Sequence, residues 1–449
     1  MGRPQISRRA MLKLTLGGVA AVAGTGALST LTRRGDGILD AAAPPPPPKY
    51  FLAGTDGWIS LPGTPLPPYY PDTLAPSGKS TYVFGFADAT AAGGATRLVN
   101  TNVRALKNKA QAMAPIMYFE ENVPAVIRMT NLGLQQRPDL VDSHTIHWHG
   151  FRNQIPMFDG EPTSSVAVPV SRVMDYYYLP RQAGTYMYHC HFEDTEHVHM
   201  GMTGIVFVLA AQNKTGNGAG APIARSNGGA ALAPLGYAYN DGVALNDPRS
   251  TAYDREFVMF LSEVWNESHW DDAHIQLPDW TDYKPDFYLL NGRSYPDTLA
   301  PAGGTFDAVG QLVPPAGRPD LVSQPYSSLI KCNSGERVLL RFANLGYTKQ
   351  SMTLGGIQLK VVGQDAIQLK GRDGTDISFA TNTISIGPGE SYDAIFTAPT
   401  VSVETTFLLY NRNYDRLSNG GTGAGGQMTE IHVFPAGTIA AQTAPHTNP

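Results

Sequence analysis

Two short segments in the first half of the chain place several histidines around one cysteine. They read HTIHWHG at residues 144–150 and HCH at residues 189–191. Side chains along a β-strand alternate between its two faces, so His147 and His149 are predicted to share a face, as are the two histidines that flank Cys190. Cys190 itself then points to the opposite face. The pattern predicts four imidazoles on one side of a β-domain and a thiol on the other.

The thiol side gains three further side chains that can bind a metal, from His144, His197 and Met202. Two imidazoles, one thiolate and one weak thioether form the ligand set of a blue copper site, and soft sulfur favours copper. We therefore predict a type 1 copper site at Cys190 and these three residues.

The imidazole side combines His147, His149, His189 and His191. Imidazoles in this number suit copper that meets oxygen or another small ligand. Because Cys190 is covalently bonded to both of its histidine neighbours, an electron that enters at the thiolate has a short path to this second site.

The composition narrows the class of function. Seven of the eleven histidines fall between residues 144 and 199, whereas two cysteines are too few for a disulfide framework. Lys and Arg number 33 against 38 Asp and Glu, so no basic surface is expected to neutralise phosphates. The charge balance therefore argues against nucleic-acid binding.

These side chains need a β-domain to position them. Short runs rich in β-branched and aromatic residues recur with Gly, Pro and Asn between them, which predicts an all-β chain of sandwich or barrel type. Three blocks occur twice, which indicates duplication of one β-domain. The pairs are residues 128–133 with 341–346, residues 71–76 with 296–301, and residues 137–141 with 318–322.

Composition also predicts the domain boundaries. Arg8 and Arg9 precede a mildly apolar run, so residues 1–43 are predicted to be a twin-arginine export signal that directs the protein to the periplasm, the cell surface or the medium. The ranges predicted after it are a proline-rich spacer at 44–49, a copper-binding domain at 50–215, a linker at 216–245, a second domain at 246–435 and a disordered tail at 436–449.

The motifs resemble those of the multicopper oxidase family over nearly all of residues 50–435. The resemblance implies two cupredoxin-like Greek-key β-sandwich or barrel domains. It also implies a copper enzyme that reduces dioxygen with electrons from a small reducing substrate, a metal ion or a redox protein. The site residues implied are Cys190, His144, His197 and Met202 for type 1 copper, and His147, His149, His189 and His191 for a type 2/type 3 cluster.

His199 stays outside this assignment. His197 keeps the family's five-residue step to Met202, and His199 is expected to be an exposed extra histidine.

The second half departs from the family pattern. The repeat places Gln350, Thr353 and Gly355 at the positions of the HTIHWHG histidines, and residues 410–412 at the position of HCH. The second domain is therefore predicted to bind no metal. A complete three-copper cluster in this family uses eight histidines, which is twice the number that this chain offers.

Three interpretations of the missing ligands remain. The first domains of two or more chains pool their histidines in a homo-oligomer, or His149 and His189 hold one type 2 copper in a nitrite-reductase-like arrangement, or the protein is a type 1 copper electron carrier without oxygen chemistry. We favour the first, because two complete histidine pairs exceed what either rival needs.

The loop from Cys190 to His197 is longer than in laccase-type oxidases, and it adds Glu193, Asp194 and Glu196. These residues predict an acidic rim that receives a cationic donor, such as a metal ion or a basic redox partner, although a solvated loop is an equal alternative. The weak axial donor Met202 favours easily oxidised donors over phenols of high potential.

Overall fold

The computed structural model describes residues 46–90, 101–152, 155–215, 225–227, 230–232, 236–244, 246–304 and 312–448. The predicted export signal lies outside the described residues and stays a prediction, as do the predicted domain boundaries. Within the described residues, no helix is long and apolar enough to span a membrane.

The first half of the chain forms two four-stranded sheets that share one apolar core. Its strands are β1 (Tyr50–Ile59), β2 (Thr81–Asp88), β3 (Met117–Glu120), β4 (Ala125–Asn131), β5 (His147–Trp148), β6 (Val173–Tyr178), β7 (Gly184–His189) and β8 (Thr203–Leu209). One sheet has the order β2-β1-β4-β6 and the other β3-β8-β7-β5. Alternate side chains of both sheets, such as Ile127 and Tyr188, fill the space between them.

The second half repeats this arrangement with more strands. They are β9 (Arg225–Asn227), β10 (Ala230–Leu232), β11 (Gly236–Tyr237), β12 (Ala252–Tyr253), β13 (Arg255–Val264), β14 (Phe287–Leu290), β15 (Ile330–Asn333), β16 (Arg337–Asn344), β17 (Gln350–Leu354), β18 (Leu359–Gln364), β19 (Ile367–Gln368), β20 (Phe379–Thr381), β21 (Thr383–Ile386), β22 (Ser391–Thr397), β23 (Thr405–Asn411) and β24 (Met428–Phe434). One sheet contains β14-β13-β16-β22-β18-β19 with β20 beside β18, and the other contains β15-β24-β23-β17-β21.

Helices are few and short. They are α1 (Thr101–Arg104), α2 (Asp194–Met200), α3 (Gln212–Thr215) and α4 (Asn266–Ala273) among the described residues. The predicted all-β fold with two cupredoxin-like Greek-key domains is thus confirmed.

Corresponding strands pair in the same way in both halves. Strand β1 runs parallel to β4 as β13 does to β16, and β5 pairs with β7 as β17 does with β23. The side chain of Asn131 accepts the N–H of Gly133 and donates to the carbonyl of Asp142, both at 2.8 Å, and Asn344 makes the equivalent bonds in the second half. In the first half, the bond from Asn131 to the carbonyl of Asp142 holds the loop that leads into His144.

The prediction of a disordered tail is wrong. Gln442 is buried and its Oε1 accepts the N–H of Glu256 at 2.7 Å, while Nδ1 of His446 accepts the N–H of Val258 at 3.1 Å. The tail therefore covers backbone donors at the start of β13, where an open strand would otherwise expose them.

Candidate metal centre

The structure brings Cys190 together with two of its predicted partners. The Nδ1 atoms of His197 and His144 lie 3.3 and 3.8 Å from the Cys190 sulfur, and all three side chains are fully buried. The backbone N–H of Thr145 also donates to this sulfur at 3.4 Å. Thr145 thus orients the thiol toward the two imidazoles.

Met202 is placed beside this group by the backbone. Its N–H donates to the carbonyl of His197 at 2.9 Å, and its own carbonyl accepts the N–H of Cys190 at 3.1 Å. The Met202 side chain is fully buried in the core of the first half. All four residues of the predicted type 1 set therefore lie in one buried region.

Helix α2 delivers His197, and sequence reasoning missed this helix. Asp194 and Glu196 occupy its first turn, where acidic side chains favour the positive end of a helix dipole. Gly201 ends it at φ +117°, a conformation that favours glycine. On the other side of the site, a Cβ atom on Gly54 would lie 2.7 Å from Cδ2 of His144, so glycine leaves room for that ring.

The electrostatics of this group fit a copper ion. Burial alone would raise the pKa of Cys190, but His197 and His144 hold it well below its ordinary value. Burial likewise opposes a charge on His197, yet Cys190 and Asp142 raise its pKa to about 10. A thiolate that faces two imidazole Nδ1 atoms is the soft donor set that copper prefers.

Four imidazoles gather on the opposite face of the same strands. Trp148 packs into the core as the alternation predicts, and the ring centroid of His147 lies 5.0 to 5.5 Å from those of the other three histidines. The Nε2 atoms of His149 and His189 are only 2.9 Å apart. His147, His149 and His189 lie within reach of one ion, and the ring of His191 stands beside them.

Backbone carbonyls orient two of these rings. Nδ1 of His147 donates to the carbonyl of Asp159 and Nδ1 of His189 donates to that of Cys190, both at 2.7 Å. Each bond leaves Nε2 with a free lone pair, as in histidines that bind metals. Burial, followed by the neighbouring histidines, lowers the pKa of His149 and of His189, which keeps both rings neutral. His149 and His189 would therefore both be able to hold copper.

An open cleft adjoins the four histidines. It is lined by His149, His189 and His191 from the first half and by Tyr347 and Gly389 from the second. All eleven histidines of the chain lie among the described residues; His144 and His197 belong to the Cys190 group, and the other five do not line this cleft. They are His199 and His269, which pack on each other, His274 on Asp72, His432 between Glu404 and Glu430, and His446 in the tail.

The expectation that His199 is exposed is wrong. The side chain is buried, and its Nε2 accepts the N–H of Trp265 at 3.3 Å. The partners of His199 come from the second half of the chain, which the local sequence does not reveal.

The second half has polar side chains at the positions of the metal ligands. Thr353 pairs with Tyr410 in the register that joins His147 to His189, as the repeat predicts. Gln350 accepts a hydrogen bond from Asn411 at 2.7 Å in this half. Among the described residues, the groups of side chains that could hold a metal all lie in the first half.

The acidic residues predicted to form one rim do not all lie together. Glu193 is exposed and groups with Asp142, whose Oδ2 lies 3.5 Å from Nε2 of His197. Glu196 turns away and hydrogen-bonds Asp272 of helix α4. Sequence reasoning missed Asp142, although it stands two residues before His144.

Comparison with known proteins extends over most of the chain. Two family models described as multicopper oxidase match residues 92–213 and 255–431. The structure is similar to the blue copper oxidase of Nitrosomonas europaea, with 19% identity, 85% of each chain covered and a TM-score of 0.53. It is also similar to the multicopper oxidase mgLAC, with 18% identity, 85% of each chain covered and a TM-score of 0.53. No curated protein matches.

Proposed function

Because this chain belongs to the multicopper oxidase family and is a copper-containing oxidoreductase, we propose that it takes single electrons from a reducing substrate and delivers them to dioxygen. One observation carries the proposal. The tripeptide His189-Cys190-His191 directs its thiol into one buried group and its imidazoles into another. No described residue outside the first half is needed for this connection.

Copper would supply the one-electron chemistry at both groups. Cys190, His144, His197 and Met202 would hold type 1 copper. The type 2/type 3 ions would be held by His147, His149, His189 and His191.

The chain offers two paths from the thiol to the imidazoles. One is covalent, through the peptide bonds on either side of Cys190. The other uses the hydrogen bond that Nδ1 of His189 donates to the Cys190 carbonyl at 2.7 Å. A second role of this bond is to hold Nε2 of His189 toward the cleft, so orientation and electron transfer depend on the same contact.

We propose that a second copy of the chain completes the dioxygen site. Three imidazoles line the cleft and His147 stands beside them, while the other described histidines are engaged elsewhere, so further imidazole ligands would come from another subunit. A nitrite-reductase-like site would use only His149 and His189 of these four, together with a ligand from elsewhere, and an electron carrier would need none of the four. The orientation of His147 by Asp159 favours the fuller cluster.

Copper content separates these functions. The proposed pooled cluster gives about 2.5 copper ions per chain in an oligomer, a nitrite-reductase-like enzyme gives about two, and a carrier gives about one. The measurement combines metal analysis, mass in solution and dioxygen consumption with a reducing donor. A monomer with one copper ion that consumes no dioxygen would overturn the oxidase proposal.

We further propose that the reducing substrate is cationic and approaches at Glu193 and Asp142. The Glu193→Gln variant is expected to lower kcat/KM for ferrous ion about tenfold, because one carboxylate that attracts the cation is lost. Asp194→Asn is the matched control, since Asp194 is exposed at the start of helix α2, next to Glu193, but lies outside the group. Steady-state rates with ferrous ion and with a neutral aromatic donor test this. Equal losses for both donors would contradict the assignment.

A further inference from the structure

Aromatic side chains surround the buried His199 where helix α2 meets the second half of the chain. The centroids of adjacent rings in this cluster lie 5.3 to 6.5 Å apart. Its oxidisable members are Trp265, Trp280, Tyr283 and Tyr347. Neither of the two groups of metal-binding side chains includes them.

The cluster has one end at the four-histidine cleft and the other near the surface. Tyr347 lines the cleft together with His189 and His191, and its hydroxyl donates to the carbonyl of Thr195. Trp280 is half-buried at the start of the 3₁₀ segment Trp280–Asp282. The rings between these ends are close enough to exchange electrons in short steps.

Tyr283 stands at the centre with a buried proton acceptor. Its hydroxyl donates to Oε1 of Glu263 at 2.6 Å, and Glu263 is only 3% exposed. Glu263 also accepts bonds from the N–H of Tyr347 and the side chains of Thr348 and Gln350. No lysine or arginine pairs with it in the part of the chain that the structure describes.

Packing alone does not account for this arrangement. Aromatic clusters are ordinarily stabilised by apolar contact and need no charge inside them. A buried carboxylate is costly unless hydrogen bonds satisfy it, and one of the bonds that satisfy Glu263 comes from the oxidisable Tyr283. Oxidation of Tyr283 makes its hydroxyl strongly acidic, and Oε1 of Glu263 is in position to accept that proton.

We propose that this cluster is a one-electron relay between the four-histidine cleft and the surface at Trp280, with Tyr283 and Glu263 as its proton-coupled centre. The proposal rests on the proposed oxidase function. Peroxide formed in the cleft needs two electrons and two protons to become two molecules of water, and the relay would supply these electrons one at a time from Tyr283 through Tyr347, with the protons taken from solvent in the open cleft. The O–H bond of Tyr283 breaks, its proton moves to Oε1 of Glu263, and a neutral tyrosyl radical remains.

The reverse step restores the starting state. A reductant at the surface returns the electron through Trp280, and Glu263 returns the proton to Tyr283. The relay therefore lets the protein complete the reduction of peroxide when the donor at Cys190 is scarce, and this spares the copper ligands from oxidation.

The test follows the radical rather than turnover. The copper-loaded full chain is mixed with hydrogen peroxide without a donor, frozen at intervals and examined by electron paramagnetic resonance. We expect a tyrosyl signal that falls at least about tenfold in Tyr283→Phe, and that forms about 100-fold more slowly in Glu263→Gln, whose amide does not take up the proton. Tyr69→Phe is the matched control, because Tyr69 donates to Glu267 at 2.8 Å outside the cluster. An unchanged signal in Tyr283→Phe overturns the relay.

A second experiment separates the relay from the oxidase function. The copper-free chain is oxidised by a photogenerated ruthenium(III) complex, and the transient tyrosyl absorption is recorded. We expect a slower rise in Trp280→Phe, whereas Trp270→Phe, which alters another half-buried tryptophan, leaves the rate unchanged. A Tyr283 radical in a chain that consumes no dioxygen supports the relay and refutes the oxidase. Dioxygen consumption without a radical in either experiment refutes the relay alone.

Discussion

The Cys190→Ser variant is expected to lose its blue colour completely and to consume dioxygen at no more than the background rate. Cys190 is the one sulfur that faces both His144 and His197, at 3.8 and 3.3 Å. A serine hydroxyl of similar size stays protonated and is a hard oxygen donor, so it neither binds copper comparably nor gives the thiolate absorption. Optical spectra, copper content and dioxygen consumption check the result.

The second cysteine provides the matched control. Cys332 is equally buried, but burial raises its pKa to about 12, so it remains a thiol in the core of the second half. Cys332→Ala is expected to cost about 1–2 kcal/mol of stability while the colour and the rate are retained. Blue colour in the Cys190→Ser variant, or its loss in Cys332→Ala, would contradict the assignment of the thiolate.

The sequence predicts the site best where the geometry of a single strand determines which face a side chain occupies. Alternation along a strand placed Trp148 in the core and the rings of His147 and His149 on the opposite face, because successive side chains of a strand point to opposite faces. The internal repeat also placed Thr353 and Tyr410 at the positions of His147 and His189, and the structure pairs the two in the same register. It did so because duplicated β-domains keep the register of their core strands.

The features that sequence reasoning missed depend on contacts between distant parts of the chain. Helix α2 is too short to be stable alone, and it is stabilised by packing of its buried face rather than by its intrinsic helix propensity. His199 is buried only because Trp265 and its neighbours cover it. The tail is ordered because Gln442 and His446 bond to the start of β13. Such contacts leave no periodic signal in the sequence.

The same reasoning explains why the described part of the second half offers no group of metal-binding side chains although its strands are equivalent. The side-chain amide of Asn411 donates a hydrogen bond to Oε1 of Gln350, and it also donates to Oε1 of Gln427, both at 2.7 Å. Buried amides of this kind complete their hydrogen bonds within the protein. These buried positions are therefore stable without a cation, and the second half contributes Tyr347 and Gly389 to the wall of the cleft.

The His147→Ala variant is expected to keep its blue colour while dioxygen consumption falls at least about 100-fold. His147 is held by the Asp159 carbonyl and contributes one of the three Nε2 or Nδ1 atoms that lie within reach of one ion. Its removal opens the imidazole side, but the thiol side keeps Cys190, His144 and His197 in contact. Copper content is expected to fall from about 2.5 to about one ion per chain. Metal analysis, optical spectra and dioxygen consumption measure the three effects.

The control for this variant is His432→Ala. His432 lies between Glu404 and Glu430 at 2.9 and 2.8 Å, away from the cleft, so its loss is expected to change neither copper content nor rate. If His147→Ala loses the blue colour as well, the two groups are not independent, and the strand alternation that separates them does not describe the metal centre. If it keeps both copper and rate, the four imidazoles are not the dioxygen site. Colour without dioxygen consumption supports two copper sites on opposite faces of the strands, because the loss of one face then leaves the other intact.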